Sequence, residues 1–289
     1  MNIEQCVIKQ VWKKRWFWWL ALSSILTTIY LTLVWIADDT GQFCMSLLFY
    51  FCAYSTLKER YKCSDFNFTD NKLSYFLAVP LLGWVLLHSS TQTDDYTVRL
   101  FPFVSAVAIA LLSSGWCNLR QYWRELTIFF FLGVPSFWAY HLIDLSPWTA
   151  KFSALMLWYT GFDIVSEGTF MALTDGRVVE VVYDCSGIDM VNYLLGMSVI
   201  CLIMFPVSGW LKQFFVPLMG ASIGFLVNGF RVALMVVLAK FDQQAFNNWH
   251  TGTGSYTFAL LGIILLGLMY WFLMTQDSLA THSSKHIDS

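Results

Sequence analysis

Apolar residues in this chain fall in long, nearly unbroken runs, and polar residues collect in the gaps between them. The runs cover 17–36, 43–57, 73–89, 97–116, 126–145, 188–208, 214–239 and 256–274. A hydrocarbon core of about 30 Å is spanned by roughly 17–25 residues of α-helix. Seven runs meet that length; 43–57 is short and is included because the loops around it alternate correctly only if it crosses. The pattern predicts an all-α polytopic membrane protein with about eight transmembrane helices.

Basic residues orient these helices, since cytoplasmic loops carry the excess of Lys and Arg. Lys9, Lys13, Lys14 and Arg15 precede the first run, and Lys58, Arg60, Lys62, Lys72, Arg120, Arg124, Lys212 and Lys285 fall on the same side. Asp38, Asp39, Asp94 and Asp95 fall on the other. Both termini are therefore expected in the cytoplasm. The first apolar run is long and no small-residue cleavage site follows it, so it reads as an anchor and not a removed signal.

The order of segments is then a cytoplasmic stretch 1–16, helices one to five over 17–145, an extracytoplasmic segment 146–187, helices six to eight over 188–275, and a polar, unstructured tail 276–289. Within 146–187 a short interfacial helix is expected over 152–162, with Trp158 and Tyr159 at headgroup level. Asp175-Gly176 separates the β-prone runs 169–173 and 177–183, which predicts a β-hairpin just before the sixth helix.

Composition agrees: 57% of the 289 residues are hydrophobic and 12% charged, about half the charge of a soluble domain. The net charge of −2 provides no basic field for nucleic acid. Seven cysteines (Cys6, Cys44, Cys52, Cys63, Cys117, Cys185 and Cys201) show no metal-ligand spacing.

Polar groups near membrane helices are candidates for function because burying them is costly. Three stand on the outer side. Cys185, in YDCSGIDMVNYLLG, lies just ahead of a helix start, where the macrodipole favours a thiolate. Ser186 is the expected N-cap with Asp189 closing a capping box, and Asp189 and Asn192 share the helical face of Cys185. The plain alternative is a small packed cysteine. Arg231 interrupts the apolar 214–239 run about 12 Å from its outer end, with Asn228 one turn earlier to orient it; the alternative is an internal salt bridge, for instance to Asp189. His250, in NNWHTGTGSYTF, can take a proton from a thiol and return it to a leaving amine, or it is an idle loop residue. His88 and His141 also lie toward the outer face. Asp163 and Glu167 read as solvated loop carboxylates.

Cys185-Ser186-Gly187 at the outer start of a helix, Asn228 to Arg231 inside the next, and His250 to Gly254 with Phe258 before the last together resemble the exosortase/archaeosortase family. The resemblance covers roughly 150–275, and the continuation IDMVNYLL is similar to cyanobacterial branches. It implies a multi-pass protein of the prokaryotic cell membrane with an outward-facing cysteine transpeptidase or protease site. Cys185 would be nucleophile, His250 proton relay and Arg231 oxyanion or backbone holder, with Ser186, Gly187, Asp189, Asn192, Asn228 and Gly254 in support. The implied partners are membrane lipids and secreted or surface proteins carrying a C-terminal motif, a transmembrane helix and a basic tail. The implied chemistry needs no metal or organic cofactor.

Three other classes stay open. A transporter would use Arg231 as a counter-charge and need no thiol. A membrane acyltransferase would depend on His250 or His141 and not on Cys185. A structural subunit would tolerate any single polar substitution.

Overall fold

The protein is described here from a computed structural model covering residues 3–63, 72–91, 95–173, 176–250 and 254–287. It divides into two compact units, Met1–Phe137 and Trp138–Ser289.

The first unit holds α1 (Ile3–Ile36), α2 (Thr40–Cys63), α3 (Lys72–Ser90), the single turn α4 (Asp95–Val98), α5 (Phe101–Ser114), a 3₁₀ turn Trp116–Tyr122, and most of α6 (Trp123–Leu142). Tyr30, Val34, Val85 and Phe101 pack at its centre. Three buried polar side chains here bond to one another. Gln42 Nε2 donates to Tyr30 Oη at 2.8 Å, Tyr30 Oη and Ser46 Oγ share a 2.8 Å bond, and Ser46 Oγ donates to the Gln42 carbonyl at 2.6 Å. Two arginines face carboxylates: Arg99 Nη2–Asp39 Oδ2 at 2.8 Å and Arg60 Nη1–Glu125 Oε2 at 3.0 Å.

The second unit begins as α6 ends. α7 (Ser146–Tyr159) leaves the preceding helical stretch at 89°. A three-stranded antiparallel meander follows: β1 (Ile164–Glu167), β2 (Phe170–Leu173) and β3 (Val178–Glu180). Then come a 3₁₀ turn Tyr183–Cys185, α8 (Ile188–Met204), α9 (Trp210–Phe241), α10 (Gln243–His250) and α11 (Ser255–Ile287). Its core joins α7, the sheet and α9 through Ala150, Ala154, Leu157, Met171, Val181 and Val236, with Cys185 packed against the edge. α8 and α9 form a close antiparallel hairpin. A Cβ on Gly224 would lie 2.8 Å from the Met190 carbonyl, so a side chain there would force the helices apart.

The runs 17–36, 43–57, 73–89, 214–239 and 256–274 each lie within one helix, whereas 97–116 is broken between α4 and α5 and the runs 126–145 and 188–208 outlast α6 and α8. Among the described residues five helical stretches are long and apolar enough to cross a membrane, or six if the bent α6–α7 pair counts as one. Gln42, Ser46, Ser55 and Thr56 dilute the apolar run of α2, α8 has only 17 residues, and α6 qualifies only together with α7. The interfacial helix starts six residues earlier than expected. One face of it (Thr149, Ala150, Ser153, Ala154) is buried, while Trp158 and Tyr159 remain exposed.

β2 and β3 pair as the predicted hairpin arms, with Phe170 opposite Glu180 and Ala172 opposite Val178; Asp175 lies outside the described residues. β1 was not predicted. It pairs with β2 across Gly168-Thr169, where Gly168 has φ 59°, the positive φ that a two-residue hairpin loop requires. Glu167 is thus a strand residue rather than a loop carboxylate.

The tail also departs from expectation, since α11 continues to Ile287. Extending a helix adds one bond per residue without a new nucleation cost, and 276–287 contains no Gly or Pro to stop it. Asp277 pairs with Lys212 and accepts the Ser208 backbone N–H at 2.9 Å, while Tyr270 Oη donates to the Cys201 carbonyl at 3.1 Å. These bonds tie α11 to α8, to α9 and to the loop that joins them.

Candidate active site

The turn carrying Cys185 is shaped by backbone geometry. Val182 is extended, the N–H groups of Cys185 and Ser186 bond back to Val182 and Tyr183 at 2.9 Å, and Gly187 turns the chain through φ 88°. A positive φ at this point favours glycine, and a Cβ there would collide with the Asn228 amide. Gly187, not Ser186, is the N-cap of α8. Ser186 Oγ instead accepts the Ile188 N–H at 3.3 Å, so the expected Ser186–Asp189 capping box does not form.

Two neighbouring helices hold this turn. Asn228 Nδ2, on α9, donates to the Cys185 carbonyl at 3.0 Å, and Thr149 Oγ1, on α7, donates to the Ser186 carbonyl at 2.6 Å. The sequence reading gave Asn228 a different task, orienting Arg231, and it missed Thr149. A threonine in a segment read as interfacial carries no distinguishing sequence signal.

His250 is the last residue of α10, a short helix whose first turn is capped by Asp242 Oδ1, accepting the Gln244 and Ala245 N–H groups at 3.0 and 2.9 Å. Phe246, one turn earlier, stacks on the imidazole with ring centroids 5.1 Å apart and planes 11° apart. This i, i+4 aromatic partner was visible in the sequence as a spacing but was not singled out. Gly254 N–H bonds to the Asn248 carbonyl at 3.3 Å, and a Cβ on it would lie 2.8 Å from the Trp249 ring. Gly254 thus leaves room for the Trp249 ring just ahead of α11.

The three residues singled out from the sequence meet. Cys185 Sγ lies 3.5 Å from His250 Nε2, and Arg231 Nη2 donates to the His250 carbonyl at 3.3 Å. Arg231 Nε is buried without a partner. The described contact of Arg231 is therefore a carbonyl and not the carboxylate of Asp189. Asp189 sits half-buried in the first turn of α8, and Asn192 is buried with its Nδ2 unpartnered. The other outer histidines are engaged elsewhere: His88 Nδ1 bonds to the Trp84 carbonyl at 2.9 Å, and His141 packs edge-on to Tyr140.

Electrostatics runs against the expected thiolate. Burial pushes the Cys185 thiol above its ordinary range; Arg231 pulls it down by less, and Asp184 pushes it up. Burial, then Arg231, holds the His250 imidazolium below its usual value of 6.5. Near neutral pH both partners are uncharged, with the proton on sulfur.

A family model for transmembrane exosortase matches residues 35–267. This chain belongs to that family. The match begins well before the 150–275 stretch on which the motifs lie and takes in α2 to α6 of the first unit. No curated protein and no solved structure matches the chain. As an exosortase it is a multi-pass membrane protein of a transpeptidase and protease family.

Proposed function

We propose that this exosortase cuts the C-terminal sorting signals of exported proteins with Cys185 as nucleophile, at the outer face of the membrane, and passes the new carboxyl end to an acceptor amine or to water. The observation that carries this reading is the 3.5 Å approach of Cys185 Sγ to His250 Nε2 beside Arg231. Proton transfer needs contact of this kind.

In this mechanism the substrate carbonyl enters beside Arg231. His250 Nε2 takes the thiol proton as Sγ bonds to the carbonyl carbon, and the carbonyl π electrons move to oxygen. Arg231 stabilises that oxyanion. Collapse breaks the C–N bond, and His250 gives its proton to the leaving amine, leaving a thioester on Cys185. An acceptor amine or water, deprotonated by His250, then attacks the thioester and restores the thiol. Asn228 and Thr149 act as positioning residues by holding the carbonyls of the turn.

We further propose that all eight helices cross the membrane, with both termini cytoplasmic. Three ion pairs support this alternation, because each joins residues that loop charge assigns to one side: Arg99–Asp39 outside, Arg60–Glu125 and Lys212–Asp277 inside. The substrates are secreted or surface proteins ending in a motif, a transmembrane helix and basic residues.

The test is co-expression of a protein bearing such a signal with wild-type or Cys185→Ala enzyme. The variant should be folded at wild-type level and leave the substrate uncleaved. Cleavage by folded Cys185→Ala enzyme would overturn the mechanism and favour a histidine-dependent activity.

A further inference from the structure

β3 is an edge strand, since the sheet order is β1-β2-β3. Its bonds to β2 fix which way each backbone group points. Leu173 N–H donates to the Arg177 carbonyl at 2.8 Å, and Val181 N–H donates to the Thr169 carbonyl at 2.9 Å. Bonded and non-bonded pairs alternate along an antiparallel ladder. Val178 and Glu180, opposite Ala172 and Phe170, therefore turn their N–H and C=O groups away from β2. Among the described residues no protein group bonds to them there. Packing does not cover this edge either. The side chains of Val178, Glu180 and Val182 are exposed, while Val179 and Val181 face the core.

The cysteine turn stands on the same open edge. Val181 still points its N–H at β2, and Val182, extended at φ −69° and ψ 162°, comes next and faces the other way. The Val182 carbonyl accepts the Cys185 N–H at 2.9 Å, so the turn curls to the side that β2 leaves free. A strand laid along Val178 and Glu180 would run into Cys185 just beyond Glu180. β1, at the opposite edge, lies two strand spacings from β3, about 10 Å.

We propose that the stretch of substrate beside the scissile bond adds to the free edge of β3 as an extended strand, and that this pairing delivers the bond to Cys185. This docking presupposes the peptide-cutting activity proposed above. Strand addition meets unpaired edge groups with main-chain bonds whatever the side chains are. A helix cannot take this place, because its own N–H and C=O groups are already bonded within it. The transmembrane helix of the sorting signal therefore ends short of the stretch that pairs with β3.

The test co-expresses the full chain with an exported reporter that ends in a motif, a transmembrane helix and basic residues. Photoreactive benzoylphenylalanine replaces Val178 or Val165, both exposed, in Cys185→Ala enzyme, and adducts are mapped by mass spectrometry. The probe at Val178 should capture the reporter about ten-fold more than the probe at Val165, which an added strand would face from three strand spacings away. The adducts should flank the site that wild-type enzyme cuts. No capture from Val178, or equal capture from Val165, would overturn the proposal. Val178→Pro removes one open-edge N–H and leaves the bonds to β2 in place. In otherwise wild-type enzyme it should raise KM about three- to ten-fold with kcat held, as for loss of a hydrogen bond or two made equally in ground and transition states. Alkylation of Cys185 by iodoacetamide should keep its wild-type rate. A wild-type KM in folded Val178→Pro enzyme would also overturn the proposal; should that variant not fold, the capture experiment decides. Capture needs no thiol. Reporter held at Val178 but still processed by folded Cys185→Ala enzyme would end the cysteine mechanism and keep the edge, and reporter cut by wild-type enzyme but not held at Val178 would do the reverse.

Discussion

In Met1–Phe137 the arginines Arg60 and Arg99 each meet a carboxylate, Glu125 and Asp39, whereas in Trp138–Ser289 Arg231 meets a backbone carbonyl. All three cations sit among apolar helices, where an uncompensated charge is costly. The carboxylate pairs offset that cost within the unit and leave little field to act on anything else. The field of Arg231 falls on its neighbours instead, drawing the Cys185 thiol down and disfavouring the His250 imidazolium. On the proposed mechanism, the difference separates an arginine that holds helices together from one that is held ready for the substrate carbonyl.

The sharpest test of this contrast is Arg231→Lys. It keeps the charge but loses the planar fork, and processing should fall by about 10²–10³, as for loss of one oxyanion donor. Thermal unfolding in detergent should scarcely move. A collapse in folded enzyme would instead make Arg231 a structural residue like Arg99. Next in size is Gly187→Ala, which forces a side chain into the left-handed region at a strain of about 1–3 kcal/mol and against Asn228. Processing per folded molecule should drop about ten-fold or more, and a wild-type rate would mean that this turn does not set the position of the thiol.

Asp39→Ala probes the other side of the comparison. Removing the partner of Arg99, itself 4% exposed, should cost about 1–3 kcal/mol of stability, read as a lower unfolding temperature, with the processing rate per folded molecule unchanged. A rate loss without destabilisation would erase the distinction between the units. The smallest effect concerns pH. Because the His250 pKa is lowered from 6.5, the base form needed to accept the thiol proton predominates at neutral pH. The rate should stay nearly flat from about pH 7 to 8 and fall only on acidification below about 6.5. His250→Ala should move the rise to alkaline pH, where the raised thiol ionises by itself. An acid limb unchanged by His250→Ala would remove His250 from the proton path.

The sequence was most legible where one residue type has one physical meaning. Long apolar runs marked the helices, and Arg231 stood out because a lone cation in such a run needs a reason. Cys185 and His250 were legible through motif order, and their meeting at 3.5 Å depends on α10, a short helix with no strong signal before Trp249. What the sequence hid was tertiary. Thr149 matters because α7 packs against the Cys185 turn, and periodicity does not say which helix meets which turn. The thiolate reading failed because it weighed the helix dipole without knowing how deeply the sulfur would be buried. β1 was missed because Gly168-Thr169 is a weaker hairpin signal than Asp175-Gly176.

The anchoring of α11 at both ends makes it a ruler. One end follows Gly254 and His250; the other is pinned through Asp277 to Ser208 and Lys212. From Ser255 to Asp277 the helix rises about 33 Å, and one inserted residue would advance it by about 1.5 Å and rotate it by about 100°. With the far end pinned, that error would be delivered to the imidazole, which needs sub-ångström placement to share a proton with sulfur. The length of α11 is thereby under a constraint that its lipid-facing side chains are not: their identity can drift so long as they stay apolar, while their number cannot.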